Sequence, residues 1–209
     1  MKVSVTFLKY KETLKKVIDE LEITNADYLH VDVMDGKFVP PVVLPIPEIK
    51  EHLMNTKIPL DVHLMVEEPK EYIDLFANCH TEYITIHAEI DQDIRALIDY
   101  IHSKNIKAGL AIKSETTIDD IKEYLNIIDY VLIMGIIPGY GGQKMIPETV
   151  SKIHELKTVR EENNYHYVIS FDGGINKDTR PLLDELDIMA VGSFITMSDN
   201  MQESIDAIR

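Results

Sequence analysis

Eight short runs rich in β-branched and aliphatic residues recur along the chain, with amphipathic helical patterns between them. The runs are VSVTFL near Val3, YLHVDVM from Tyr28, IPLDVHLMV from Ile58, YITIHA from Tyr83, IKAGLAI from Ile106, YVLIMG from Tyr130, YVISFDG from Tyr167 and IMAVGS from Ile188. The helical patterns include YKETLKKVIDEL, PKEYIDLFANC, DQDIRALIDYIHSK, TIDDIKEYLNI and PETVSKIHELKTVREE, several opening on Pro or Asp as helix starts do. No Pro/Gly/Ser-rich linker or charge block divides the chain. Eight such units share 209 residues, or ~26 residues each, lean but sufficient for a (β/α)8 barrel. An open doubly wound sheet would carry a glycine-rich turn after its first strand. Here VSVTFLKYK has no glycine, and the glycines cluster late, between Gly139 and Gly142 and at Gly173, Gly174 and Gly192. The expected fold is therefore α/β, a single-domain (β/α)8 TIM barrel over residues 1–209, with its chemistry at the C-terminal ends of the strands.

Polar residues inside two of these strands set the next constraint. Side chains alternate across a strand, so in LHVDVMD the residues His30, Asp32 and Met34 share one face and Leu29, Val31 and Val33 the other. The aliphatic face must meet the helices, which turns His30 and Asp32 into the barrel, where an unpaired carboxylate would cost several kcal/mol or shift its pKa. DVHLMV repeats the pattern with Asp61, His63 and Met65, and SFDGG adds Asp172 near the end of the seventh strand. Each histidine alone is best explained as a satisfied core residue. The repeated parity favours the other explanation, a four-ligand site of His30, Asp32, His63 and Asp172 for one divalent transition metal ion, Zn, Fe, Mn or Co. Magnesium or calcium would want more oxygen. Met34, Met65 and Met134 occupy comparable strand-end positions and either fill core gaps or roof the site with water-excluding surface. His87 is as readily a core histidine as a substrate contact.

Lys and Arg number 21 against 36 Asp and Glu, a formal charge of -15, so the protein as a whole repels nucleic acid and anionic membrane surfaces. Any phosphate it binds must be attracted locally. The stretch PGYGGQ supplies such a place, because glycines let backbone N–H groups approach an anion and a helix expected from Pro147 adds partial positive charge. Turns at Gly173 and Gly174 and at Gly192 and Ser193 follow strands seven and eight, where barrels of this kind often hold phosphate. The lone cysteine, Cys79, excludes an intramolecular disulfide framework and reads as a packed small residue. The N-terminal MKVSVTFLKYKETLKK is too short and charged for a signal peptide, and no apolar run reaches the ~20 residues of a membrane span. The expected location is cytoplasmic.

At these residues the chain resembles the ribulose-phosphate 3-epimerase family. The segments that carry the resemblance are LHVDVMDGKFVPP, DVHLMVEEP, ITIHAE, KAGLAIK, MGIIPGYGGQKMI, SFDGGI and VGSFI, in the family's order over residues 28–195. The resemblance implies that His30, Asp32, His63 and Asp172 are metal ligands, with Asp32 and Asp172 also the acid/base pair. It maps the substrate and phosphate contacts to Thr6, His63, Gly139, Tyr140, Gly141, Gly142, Gly173, Gly174, Gly192 and Ser193. It places the chain in carbohydrate metabolism, in the pentose phosphate pathway. The implied reaction interconverts D-ribulose 5-phosphate and D-xylulose 5-phosphate through an enediolate. The alternatives are a 3-epimerase of a six-carbon ketose phosphate such as D-allulose 6-phosphate and a catalytically silent sugar-phosphate-binding module. A small phosphorylated ketose is then the partner, with no nucleic acid and no membrane, and self-association into a homo-oligomer through exposed barrel helices is expected. Thr6 replaces the family's serine, VVLPIPEI lacks its usual glycine, and LLDELDIMAVGS is shorter than its counterpart. The orotidine-phosphate decarboxylase relatives use an Asp-x-Lys-x-x-Asp strand motif, and HVDVMD has no lysine at that spacing.

Overall fold

The computed structural model describes residues 1–8, 13–43 and 53–209. The eight expected strands form as β1 (Lys2–Thr6), β2 (Tyr28–Asp35), β4 (Leu60–Met65), β5 (Thr81–His87), β6 (Lys107–Ile112), β7 (Tyr130–Met134), β8 (Val168–Asp172) and β9 (Ile188–Val191). They pair in parallel in that order, and β1 pairs with both β9 and β2, which closes the barrel. A two-residue strand, β3 (Val42–Val43), adds to β2 in antiparallel sense beside Met34 and Asp35. Closure leaves no unpaired sheet edge inside the barrel wall.

One parity of each strand faces outward. Val3, Leu29, Val31, Val62, Leu64, Ile84, Val131 and Ile169 pack with Val17, Ile73, Phe76, Ile98 and Leu156 from the surrounding helices in one continuous core. Those helices are α1 (Leu14–Leu21), α2 (Lys70–Phe76), α3 (Ile94–Ser103), α4 (Ile118–Ile121) and α5 (Ser151–Asn163), followed by α6 (Ser193–Thr196) and α7 (Met201–Asp206). Caps fit the sequence: Thr13 accepts from the Lys16 N–H, Asp93 from Ala96, and Thr117 with Asp120 makes a reciprocal capping box.

The other parity fills the barrel in layers. Tyr28, Tyr83 and Tyr130 form the floor. Gly109 lies opposite Tyr130 in register, and a Cβ there would sit 3.1 Å from Tyr130 Cδ1 and 2.2 Å from Thr85 Oγ1, so the ring crosses the interior over a glycine. Above that layer come His30, Asp61, His63 and His87, and at the C-terminal strand ends Asp32 and Asp172.

Two helical expectations change. TIDDIKEYLNI is α-helical only through Ile121, after which i to i+3 bonds such as Tyr124 N–H to Ile121 C=O carry the chain as tight turns that bury Leu125 and Ile128. PETVSKIHELKTVREE opens with a 3-10 turn, Pro147–Val150, before α5. Between β8 and β9 the described element is a single 3-10 turn, Arg180–Leu183, because the short connection already spends Gly173 to Thr179 on the turn over the barrel mouth. Residues 10–12 of the first helical pattern, and the part of VVLPIPEI beyond Val43, lie outside the described residues. Among the described residues no helix is long and apolar enough to cross a membrane.

Candidate active site

A cavity of about 700 Å³ opens at the C-terminal ends of the strands. Its lining includes Thr6, Asp32, Met34, Met65, Met134 and Asp172 on one side and the loops around Gly139 to Gly142, Gly173, Gly174, Gly192 and Ser193 on the other. The sequence-derived residues therefore converge on one space, apart from His30 and His63. Both histidines are fully buried beneath the cavity floor rather than on its lining.

Four ligand atoms, one each from His30, Asp32, His63 and Asp172, lie within 4.8 Å of one another. Adjacent strands bring them together: Asp32 and His63 are register partners on β2 and β4. His30 Nδ1 is 2.8 Å from Asp61 Oδ2, and its Nε2, buried and without a hydrogen-bond partner, faces Asp32 Oδ1 at 3.4 Å. His63 Nδ1 faces the same oxygen at 3.1 Å, and its Nε2 lies 2.9 Å from His87 Nε2. Two imidazole nitrogens and two carboxylates thus aim at one small volume. Such a set needs a positive centre, either a proton or a divalent cation, and its mixed nitrogen and oxygen donors fit a transition metal ion.

Charge within the cluster is uneven. Burial alone would raise Asp32, but His30 and His63 beside it hold its pKa well below the usual carboxylate range. The Thr6 hydroxyl donates to Asp32 Oδ2 at 2.6 Å, a contact within the protein, and Thr6 also lines the cavity. Its methyl packs over Gly192, where a Cβ would lie 2.9 Å from Thr6 Cγ2. Asp172 behaves oppositely: burial raises it to about 6, with the Asp32 charge adding to the rise and His30 opposing it. Burial also works against a charge on His30, and the Asp61 and Asp32 carboxylates on either side outweigh it, lifting its pKa well above the usual value.

Three groups escaped the sequence reading as site residues. Asp61 is fully buried and accepts at Oδ2 from the Ser4 hydroxyl at 2.9 Å and the Tyr130 hydroxyl at 3.0 Å, besides orienting His30. Its inward parity was visible, but not its partners on β1 and β7. Glu89, just beyond β5, approaches His87 Nδ1 at 2.8 Å. Burial pushes His87 down to about 4, whereas Glu89, despite its own burial, is held at about 2 by hydrogen bonds from His87, the Lys113 N–H and Thr116. Gln143 donates to the Ile137 and Tyr140 carbonyls at 2.7 and 2.6 Å and so shapes the glycine loop. Within that loop and the next, Gly139, Gly142, Gly173 and Gly174 have positive φ values of 111°, 78°, 117° and 70°. Lys144 is the one basic side chain among the described lining residues, so local attraction for an anion comes from backbone and this lysine.

Met34 and Met65 pack with Val39 into an apolar wall beside Asp32, and Met134 lies next to Asp172 in register with it across β7 and β8. All three line the cavity.

The fold and this cavity define a (β/α)8-barrel enzyme with a buried carboxylate–imidazole cluster at the C-terminal strand ends. Residues 2–196 match the model of the ribulose-phosphate 3 epimerase family. The ribulose-phosphate 3-epimerase of Bacillus subtilis is 37% identical over 196 residues, covering 92% of this chain and 90% of the relative. That of Treponema pallidum is 36% identical over 168 residues, covering 80% and 77%. Among solved structures, KGPDC from Streptococcus mutans superposes with a TM-score of 0.71 at 13% identity, over 99% of this chain and 94% of that one. Orotidine 5'-monophosphate decarboxylase from Sulfolobus solfataricus gives 0.65 at 13% identity, over 99% and 95%. These two likenesses speak to the fold alone. The chain belongs to the ribulose-phosphate 3-epimerase family, and it is accordingly an isomerase.

Proposed function

We propose that this protein interconverts D-ribulose 5-phosphate and D-xylulose 5-phosphate at C3, using Asp32 and Asp172 as its two acid/base groups. One divalent transition metal ion, Zn, Fe, Mn or Co, is held by His30, Asp32, His63 and Asp172. The observation that carries this reading is the meeting of two carboxylates of opposite tendency in one buried cluster, Asp32 held down and Asp172 raised to about 6.

Inverting a carbon beside a ketone requires taking its proton from one face and returning a proton to the other. A carboxylate on each side accomplishes this, one ionised to accept and one protonated to donate, with roles exchanged in the reverse direction. Removal of the C3 proton leaves a planar enediolate, which the other acid then protonates from the opposite side. A divalent ion, when bound, stabilises as a Lewis acid the negative charge that develops on the sugar oxygens. Thr6 holds Asp32 in place through its hydroxyl. Met34, Met65 and Met134 exclude water from the reacting carbon. The substrate phosphate is received by the backbone of Gly139, Tyr140, Gly141 and Gly142, of Gly173 and Gly174, and of Gly192 and Ser193. On this reading the protein works in cytoplasmic carbohydrate metabolism as a homo-oligomer.

Asp32→Asn and Asp172→Asn, each shown to fold, are expected to lose turnover of ribulose 5-phosphate by about 10²–10⁴-fold. Normal turnover in either variant defeats the two-base assignment. Kinetics with allulose 6-phosphate alongside decide the sugar: a larger kcat/KM on the six-carbon substrate would reassign it.

A further inference from the structure

The turn that follows Asp172 is closed by side chains from its own segment. Thr179 Oγ1 donates to the Gly174 carbonyl at 2.9 Å and accepts the Asn176 N–H at 3.0 Å. Asn176 Nδ2 reaches the same carbonyl at 3.4 Å, and Asn176 Oδ1 accepts the Asp178 and Thr179 N–H groups at 2.8 and 3.2 Å. The Arg180 N–H then closes on the Asn176 carbonyl at 2.9 Å. Two half-buried side chains thus hold one carbonyl oxygen, that of Gly174, on the protein side. A trans peptide points its N–H opposite to its C=O, so the Ile175 N–H faces away from this clasp. A carbonyl held in this way is also kept from turning its partial negative charge toward an anion in the cavity.

We propose that Thr179 and Asn176 are positioning residues that hold the Gly173–Gly174 turn in the shape that receives the substrate phosphate, while the strand register places Asp172 independently of them. The inference rests on the reading that this turn takes up the phosphate of the sugar. It separates two tasks that lie side by side in the chain, since the acid and the phosphate turn are adjacent residues.

The neighbours on each side support that division. Asp172 pairs in register with Met134 and with Ala190, and its carbonyl accepts the Gly135 N–H at 2.7 Å, so β7 and β9 fix it whatever the turn does. Beyond it the chain has no such ladder. Gly173 and Gly174 take φ values of 117° and 70°, which a glycine pair leaves as readily as it enters. The turn also lies close against the glycine loop: a Cβ on Gly173 would meet Ile136 Cγ1 at 2.5 Å, and one on Gly174 would meet the Met145 nitrogen at 2.5 Å. At the far end Arg180 Nε donates to the Ile208 carbonyl at 2.6 Å, anchoring the clasp to the C-terminal segment. Without the clasp, phosphate binding would have to order the glycines itself, which weakens affinity and leaves the chemistry of the bound sugar alone.

The test compares full-length wild type, Thr179→Val and Thr179→Ser in two ways: titration with inorganic phosphate followed by backbone-amide NMR, and steady-state kinetics with ribulose 5-phosphate. Thr179→Val keeps the shape of the side chain and deletes its hydroxyl. Its phosphate dissociation constant and its KM are both expected to rise by about 3–10-fold, with kcat within about twofold of wild type. Thr179→Ser restores the hydroxyl and should return both values to near wild type. Asn176→Ala takes the place of Thr179→Val should that variant not fold. Wild-type phosphate affinity in the folded variant overturns the proposal, and so does a fall in kcat larger than the rise in KM, which would place the effect on Asp172. Equal losses in Thr179→Ser and Thr179→Val also overturn it, because the methyl group would then be what matters. Wild-type protein that binds phosphate without turning over ribulose 5-phosphate defeats the proposed reaction, while weaker phosphate binding in Thr179→Val still supports the clasp. Wild-type protein that binds no phosphate overturns the phosphate assignment and the clasp together.

Discussion

The Thr6 hydroxyl donates to Asp32 Oδ2 at 2.6 Å, joining the end of β1 to a carboxylate within β2. A hydrogen bond to an ionised group contributes about 1.5–3 kcal/mol, and here it also favours the ionised form of Asp32. Thr6→Val keeps the shape over Gly192 but deletes the donor. Its kcat on ribulose 5-phosphate is expected to fall by about 10–100-fold, the same energy expressed as rate. Thr6→Ser keeps the donor and should retain near wild-type kcat. Steady-state kinetics of the two variants check this, and equal losses in both would show that the methyl, not the hydroxyl, is what matters.

Asp61 is a buried charge held by the Ser4 hydroxyl, the Tyr130 hydroxyl and His30. Removing one partner of a buried ionic pair is far more damaging than removing a neutral donor. Asp61→Ala is expected to cost ~3 kcal/mol and lower the melting temperature by about 6–12 °C. Tyr130→Phe leaves Asp61 with its other partners and should cost only ~1 kcal/mol. Thermal unfolding of both variants decides the ranking; a Tyr130→Phe loss as large as that of Asp61→Ala would mean that ring packing at the barrel floor dominates.

Much of this site was legible from strand parity alone. The alternation in LHVDVMD and DVHLMV turns His30, Asp32 and His63 inward whatever the packing details, because a one-residue slip would bury their charges against the helices. The late glycines marked the loops over the mouth, and at Gly139, Gly142, Gly173 and Gly174 a positive φ excludes most other residues. Parity does not reveal depth or neighbours, so Asp61 and His87 looked like repeats or core residues until β1, β5 and β7 were placed beside them. Glu89 and Gln143 lie in loops, where no periodicity reports direction. The short helical content after β6 and β8 was hidden because apolar spacing is the same for a buried α-helix and for successive tight turns.

Gly174 has φ of 70°, and a Cβ on it would lie 2.5 Å from the Met145 backbone nitrogen. Neither feature can relax cheaply, because both the turn and the neighbouring loop are backbone. Gly174→Ala is expected to destabilise the fold by about 1–2 kcal/mol through the left-handed conformation alone. It should also displace the turn at the cavity wall, raising KM for ribulose 5-phosphate by about 10-fold or more. A rise in KM for the sugar phosphate with normal melting would locate the effect in binding, whereas wild-type kinetics would remove Gly174 from the substrate contacts.

Asp172 carries a pKa raised to about 6, above its ordinary value of 3.8, first because it is buried. The folded state therefore holds its proton more tightly than the unfolded chain. Below the unfolded value both states are protonated and no penalty exists. As pH rises past the folded value, ionising the buried carboxyl costs the native state ~3 kcal/mol. Asparagine cannot ionise, so in chelator-treated protein Asp172→Asn should melt above the wild type by about 6–12 °C at pH 8. That gain should shrink through the window between pH 6 and 3.8 and vanish near pH 4. Zinc(II) at pH 8 should reverse the order, because a cation relieves the charge on Asp172 and has less to bind in the variant. Melting curves at pH 4 and pH 8, with and without zinc(II), make the comparison. A wild type already more stable than Asp172→Asn at pH 8 under chelation would show that Asp172 is satisfied by the protein alone, and that the site has no need of a metal ion.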